Sequence, residues 1–471
     1  MVVINSENVA LIYDLNKSNH NVLLTYGTSK PYNVNPEIKR QDYYNGIQSI
    51  TKEHEFRLDG QERQRVVYNF IAYIINQTSA FSLSNSVNYI SIEEENPTLD
   101  FFNNNYRELA INDLENFKNA LITGSSIEVV NYNKEKEIES IVFPSTEWVI
   151  LKDDANNISV GIHLQIIPSG TVYNNEIVKK EIYVYTVYDE TTKYIYIKKD
   201  GVISLIKEHA HRMGTVPVIE YQILNDNKSS LSNSLLSLND SYNLVANGNT
   251  DDVLFNIDSL LVLIGYGPEA LTEVSKDENG NVTSVNKLEQ ARQTGAISID
   301  TEGDIKYISK GNVPDKVAFA LKTAKNQMFL DGQVVDVENI TGVTGSTSGV
   351  ALKLRYQPMV AAASAYTKYF ERGLRRRIEL YNAIYSKINI PVIEPYTIKF
   401  TYSIPVNDVE LLDKVDKLLT LVDHETALSQ FGFIENPKKI IEKKNEEALN
   451  KPIEVIEKPQ PEQIEFIVGT D

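Results

Sequence analysis

Residues 338–380 read ENITGVTGSTSGVALKLRYQPMVAAASAYTKYFERGLRRRIEL, and the rest of the chain is best understood outward from them. The stretch opens with a glycine-and-hydroxyl run, Asn339 to Gly349, and passes into a long helical pattern. Apolar residues recur at Ala363, Tyr366, Phe370, Leu374, Ile378, Tyr381, Tyr385 and Ile388, steps of three and four that keep one helical face apolar. A helix from Ser348 to Ile388 would be roughly 60 Å long at ~1.5 Å per residue. That is several times the ~11–12-residue mean, so it needs neighbours along its length. Ser346, Thr347 and Ser348 can offer hydroxyls to the free N–H groups of its first turn, and Gly342, Gly345 and Gly349 let the preceding backbone bend. Pro358 removes a donor to Leu354, which predicts a kink between them.

The segment Ser348-Gly349-Val350-Ala351-Leu352-Lys353, following a flexible loop and leading into that helix, resembles the tunnel loop and spine helix of tailed-bacteriophage portal proteins. The likeness is greatest to portals of long-tailed phages of Gram-positive bacteria. Other motifs follow in the same order. Tyr43, Tyr44, Gly46 and Ile50 resemble the YYxGxxxI segment near the portal N-terminus. Gly214 to Val218 supplies a Gly-x-Val-Pro-Val core, and Glu425 to Leu428 reads ETAL. The resemblance spans roughly residues 38–447. The collinear order of these motifs carries the resemblance.

Read from its own patterns, the chain is α+β. Val66, Phe70, Tyr73 and Ile74 share a helical face within 60–79, with Gly46 as an αL stop upstream. A second helix is predicted from Thr98 to Thr123, stopped by Gly124. From Ser125 to Tyr221 the period becomes two, which predicts one antiparallel meander with turns at 153–157, 189–192 and Asp200-Gly201. After a polar linker, 225–230, a seam of Leu231, Leu235, Leu238, Tyr242 and Val245 predicts a helix. Ile257 to Gly265 has strand length, and Asn279-Gly280 signals a hairpin. Pro314 suits the first turn of a further helix whose face is Val317, Leu321, Ala324 and Met328. Tyr396 to Pro405 reads as a strand, followed by amphipathic helices and a Pro- and Glu-rich tail.

The resemblance implies a portal fold with these divisions: an N-terminal arm, 1–37; a wing of helices and β-meander, 38–228; stem helix 1, 229–258; a small mixed clip, 259–310; stem helix 2, 311–337; the tunnel loop, 338–349; the kinked spine helix and a wing strand, 350–405; crown helices, 406–447; and a flexible tail, 448–471. It also implies a function. The chain would be one subunit of a homo-oligomeric ring, typically of twelve, at one capsid vertex of the virion, assembled in the host cytoplasm. Double-stranded DNA would pass through the ring without sequence-specific contacts. The terminase large subunit would dock on it, followed by head-completion or adaptor proteins, with the major capsid or scaffolding protein around it. The DNA-facing loop residues carried over by position are Asn339, Thr341, Gly342, Thr344, Gly345, Ser346, Thr347 and Ser348, with Asp336 and Glu338 beside them keeping the channel repulsive. Arg375, Arg376 and Arg377 are expected to pair with acids of a neighbouring subunit; a solvated helix face is the blander alternative.

Composition bears on the same question. Among 471 residues there is no cysteine, so disulfides, Cys-ligated zinc and thiol catalysis are excluded. The formal net charge is −18. This disfavours a tight, sequence-reading DNA binder. It suits an acidic wall that lets the polymer slide, and it equally suits solubility alone. The N-terminus lacks signal-peptide character, and no stretch is long and apolar enough to span a membrane. No catalytic, cofactor-binding or metal site is expected. The glycines at 342, 345 and 349 precede a helix N-terminus, an anion-friendly place, but a Walker A loop ends Gly-Lys-Ser/Thr and Lys353 comes a turn too late. His209 and His211 lack a third metal ligand and read as a surface pair. Asp251-Asp252 reads as facing solvent or the channel, and Asp300, Glu302 and Asp304 as a solvated acidic turn. The rival readings are a ring-forming component of a tail, baseplate or secretion-like assembly, and a nucleotide-using enzyme.

Overall fold

A computed structural model describes residues 36–52, 65–92, 96–105, 108–132, 138–168, most of 170–257, four strands between 260 and 308, 314–336, 349–402 and scattered positions from 417 to 445. The chain divides into two compact units, Met1–Gly345 with Arg355–Tyr402, and Ser346–Leu354 with Ser403–Asp471. In the second, residues 440–445 are helical, and the rest of the expected crown lies almost wholly outside the described residues.

The first unit opens with helix α1, Pro36–Tyr44, and Gly46 follows it at φ 84°. Ile47 N–H returns to Asp42 O (2.8 Å), which is the glycine stop expected from the sequence. Helix α2 runs Phe70–Leu83, strand β1 Asn88–Ser91, α3 Pro97–Asn105 and α4 Leu109–Thr123. The single helix expected over 98–123 is therefore two. Gly124 ends the second at φ 107°, and the next chain segment packs tightly over it: a Cβ there would meet Asn227 O at 2.0 Å. Ser229 and Ser230 hydroxyls donate to the otherwise free carbonyls of Leu121 and Ile122. The polar linker 225–230 thus serves as the C-terminal cap of α4.

The period-two region folds into two sheets rather than one meander. Strands β2 (Ser125–Tyr132) and β3 (Ile138–Pro144) pair antiparallel, and β11 (Val218–Gln222) returns from far along the chain to flank β2. The other sheet orders β10-β9-β8-β5-β4, comprising β4 (Trp148–Lys152), β5 (Ile158–Ile167), β8 (Ile182–Tyr188), β9 (Thr192–Lys199) and β10 (Val202–Ala210), with a short β6–β7 hairpin (Val172–Tyr173, Glu176–Ile177) between β5 and β8. Its turns carry the expected chemistry: the Asp189 carboxylate accepts from Thr191 and Thr192 N–H, and Asp153 accepts from Asn157 N–H. Trp148, Tyr188, Ile127, Val129, Val216 and Val218 form the core where the sheets meet. Gly161 permits that closeness, because a Cβ would stand 2.9 Å from Val218.

Helix α5, Asn233–Ile257, is held by an unexpected seam. Its most buried line runs from the expected Leu231 and Leu235 into Asn239, Asn243 and Asn247, one every four residues, while Leu238 and Tyr242 are half-buried beside it, Tyr242 edge-on to Tyr68 and Phe70, and Val245 is exposed. Asn247 accepts from Val66 N–H (2.9 Å) and donates to Val66 O (2.8 Å). Asn243 accepts from Tyr68 N–H (2.8 Å) and donates to Gln48 Oε1 (2.6 Å). These amides act as a strand partner for Val66 and Tyr68, whose N–H groups are therefore unavailable to a helix. This is why α2 begins at Phe70, capped by Asn69, and why Val66 is 51% exposed instead of lying on a helical core face.

Strands β12 (Leu260–Ile264) and β15 (Asp304–Ile308) pair antiparallel, as do β13 (Thr272–Lys276) and β14 (Val282–Asn286), the hairpin signalled by Asn279-Gly280. Helix α6, Pro314–Asp331, packs along α5. It buries Met328 with Val317, Leu321 and Ala324 half-covered, which is the expected face. Helix α7 spans Gly349–Lys387, 39 residues, and continues through Pro358. Phe370, Leu374, Ile378, Tyr381 and Tyr385 are buried as expected. Strand β16, Tyr396–Lys399, closes the unit by pairing with β1.

Candidate functional site

The loop residues singled out by sequence, Asn339, Thr341, Gly342, Thr344, Gly345, Ser346, Thr347 and Ser348, lie outside the described residues, as does Glu338. What the structure describes is how the chain is anchored before and after them. On the N-terminal side, α6 ends in a left-handed turn at Gln333 (φ 53°), and Val334 N–H bonds Phe329 O. Phe329 meets the rings of Phe70 (6.2 Å) and Tyr73 (5.6 Å) edge-on. Gly332 sits so close to Ile74 that a Cβ would be 2.8 Å away. Asp336 pairs with Lys325 at 3.6 Å, so part of the repulsion expected of it is neutralised within its own chain.

On the C-terminal side, α7 is gripped from Tyr356 onward. Tyr356 and Tyr402 both stack on Phe81, at 6.1 and 5.9 Å, and the Thr367 and Tyr402 hydroxyls bond at 2.9 Å. Phe370 packs edge-on to Phe117 at 5.2 Å. Gly373 lets α7 lie directly on β11, since a Cβ would stand 2.3 Å from the Tyr221 ring.

The three consecutive arginines have three different environments. Arg375 donates to Glu371 one turn back (2.8 Å from Nε) and lies 5.6 Å from the Tyr396 ring centre. Arg376 pairs with Glu379 at 2.9 Å and donates to the Thr215 hydroxyl and the Val216 carbonyl. Arg377 has no exposed surface. It donates to Glu128 from Nε (3.0 Å) and Nη2 (2.6 Å), and to Asp113 from Nη1 (2.5 Å). Burial alone would lower the Arg377 pKa, but the carboxyl groups packed against it hold it well above its ordinary value. Arg377 is thus committed to α4 and β2 of its own chain, which corrects the expectation that it pairs with a neighbour's acids. The sequence held the signal: position 377 lies three after Leu374 and four before Tyr381, on the apolar face itself.

Two further polar expectations resolve simply. His211 accepts from Met213 N–H at Nδ1 and contacts the Asp189 carbonyl through Nε2 (2.9 Å), a neutral structural role consistent with burial lowering its pKa. Asp251, expected to face solvent or the channel, pairs with Arg65 at 3.0 Å. Asp300 and Glu302 lie outside the described residues, and no helix among the described residues is long and apolar enough to cross a membrane.

A long helix pinned on a mixed helix-and-sheet body, entered from a glycine-rich segment, is the arrangement the portal resemblance anticipates. The family model described as "Phage portal protein, SPP1 Gp6-like" matches residues 36–451, and the chain belongs to that family of structural proteins. A comparison with individual curated proteins gives no match.

Proposed function

We propose that the chain is the repeating subunit of a closed ring at one capsid vertex, typically of twelve copies, through which double-stranded DNA is packaged and later ejected. The family match over 36–451 carries this reading. The subunit surface supports it: Phe319 (72%), Leu330 (71%), Ile111 (69%) and Leu244 (62%) leave large apolar side chains open, as a head-to-tail ring contact would cover. In this reading 38–228 is the wing, 229–258 and 311–337 the stem, 259–310 the clip that docks the terminase large subunit and later the head-completion proteins, and 406–447 the crown. Native mass spectrometry with negative-stain imaging of the purified protein tests the ring. Closed rings of about a dozen copies are expected, and a stable dimer that binds nucleotide would overturn the reading.

Within the ring, residues 339–348 would line the channel. Their short hydroxyl side chains and backbone N–H groups suit transient phosphate contacts without the tight grip of lysine or arginine. The loops would then follow the DNA and restrain backward slip. Replacing Thr344, Ser346 and Thr347 with lysine should slow or stall packaging; an unchanged packaging rate would sink this role.

A further inference from the structure

The Arg377 junction contains one cation and two carboxylates in a fully enclosed place. The Arg377 and Glu128 side chains have no exposed surface, and that of Asp113 is 6% exposed. The donors are unequally shared. Glu128 receives the guanidinium on both oxygens, and also Asn116 Nδ2 (2.8 Å) and the Ser140 hydroxyl. Asp113 receives Arg377 Nη1 alone among the described bonds. The other titratable groups facing the junction are the phenols of Tyr89 on β1 and Tyr221 on β11, and burial pushes both toward staying neutral. No second cation among the described residues acts on Asp113. With both carboxylates ionised, the junction would carry one uncompensated negative charge in a low-dielectric interior, where two carboxylates at one site resist joint ionisation.

We propose that Asp113 is a neutral carboxylic acid in the folded subunit at neutral pH, so that the lock pinning the long helix is an Arg377–Glu128 ion pair completed by a proton on Asp113. Glu128, with four donors, holds the negative charge; Asp113, with one, holds the proton. Burial raises the Asp113 pKa, the nearby Arg377 only partly opposing it. An unfolded aspartate titrates near ~3.9, so folding at neutral pH takes up a proton. The sign follows: this group's contribution to stability is full below the unfolded value and declines as pH rises toward the raised, folded one. The anchor of the long helix therefore loses this contribution as pH climbs from about 3.9 toward the raised folded value, a sensitivity independent of ring formation.

The test uses the full chain in its native assembly state. In the infrared difference spectrum between wild type and Asp113→Asn at neutral pH, wild type should show a protonated-carboxyl carbonyl band that the variant lacks. Asp113→Asn, which keeps an oxygen for Arg377 and carries no charge, should melt within ~2 °C of wild type. Its stability should also fall less steeply between weakly acidic and alkaline pH. Glu128→Gln should melt many degrees lower or fail to fold; if it fails to fold, the band and the Asp113→Asn profile decide alone. Absence of the band, an Asp113→Asn melting loss as large as that of Glu128→Gln, or an unchanged pH slope would each overturn the proposal.

Discussion

Two helices of this subunit are seated on buried polar groups, and they use opposite chemistry. Helix α7 rests on an apolar face interrupted by one guanidinium, Arg377, caught between Asp113 and Glu128. Helix α5 rests on uncharged amides, Asn239, Asn243 and Asn247, two of which hydrogen-bond the backbone of residues 66–68. The energetic consequences differ. Removing one member of a buried ion pair strands its partner's charge and costs about 3–5 kcal/mol. Removing one neutral amide leaves an unsatisfied N–H or C=O, about 1–3 kcal/mol. The charged anchor is all-or-none at one point; the amide seam is divided along three turns and can yield in parts.

The largest break in the comparison is Arg377→Met. It keeps the volume of the stem but leaves Glu128, which has no exposed side-chain surface, without its cation. A loss of about 3–5 kcal/mol is expected in denaturant unfolding, or failure to accumulate folded protein. A loss under about 1 kcal/mol would mean that the junction tolerates the uncharged state and that α7 is held by its apolar face alone.

Asn243→Ala sharpens the other side. It removes the acceptor for Tyr68 N–H and one donor to Gln48. The expected loss is about 1–3 kcal/mol, with a local signature: the Tyr68 amide should lose hydrogen-exchange protection while amides of α7 keep theirs. Loss of protection spread equally over both helices would show that the two seats are coupled and not separate.

What could be read in the sequence divides along the same line. The apolar face of α7 was legible because Phe370, Leu374, Ile378, Tyr381 and Tyr385 repeat at helical spacing and tertiary packing follows that pattern. So was the glycine stop at Gly46, a local matter of φ. The start of α2 was misplaced because a residue far along the chain, Asn243, takes the N–H that a helix would have used, and no local pattern records that. The single meander failed for the same reason: period two identifies strands, but that β11 would return to β2 depends on contacts nearly a hundred residues apart. At the candidate site, Arg377 sat on a visibly apolar face and could have been placed inside. The run of three arginines concealed it, because adjacent like charges suggest a shared surface when successive helical residues in fact point about 100° apart.

The smallest effect concerns the two arginines beside it. Arg375 and Arg376 pair with Glu371 and Glu379 on their own helix, and the Arg375 and Glu379 side chains are 46% and 62% exposed. Exposed pairs of this spacing contribute about 0.3–0.5 kcal/mol, and Arg376 also donates to the Thr215 hydroxyl and the Val216 carbonyl, so the double change Arg375→Ala and Arg376→Ala should cost about 1 kcal/mol in unfolding. Their proposed value lies between subunits. If they bridge to a neighbour, the double variant should form fewer or smaller rings in native mass spectra, most clearly at low salt, where exposed charge pairs are least screened. Rings of wild-type mass and salt tolerance would leave Arg375 and Arg376 with the partners they have in their own chain, and Arg377 as the one whose charge is fully buried.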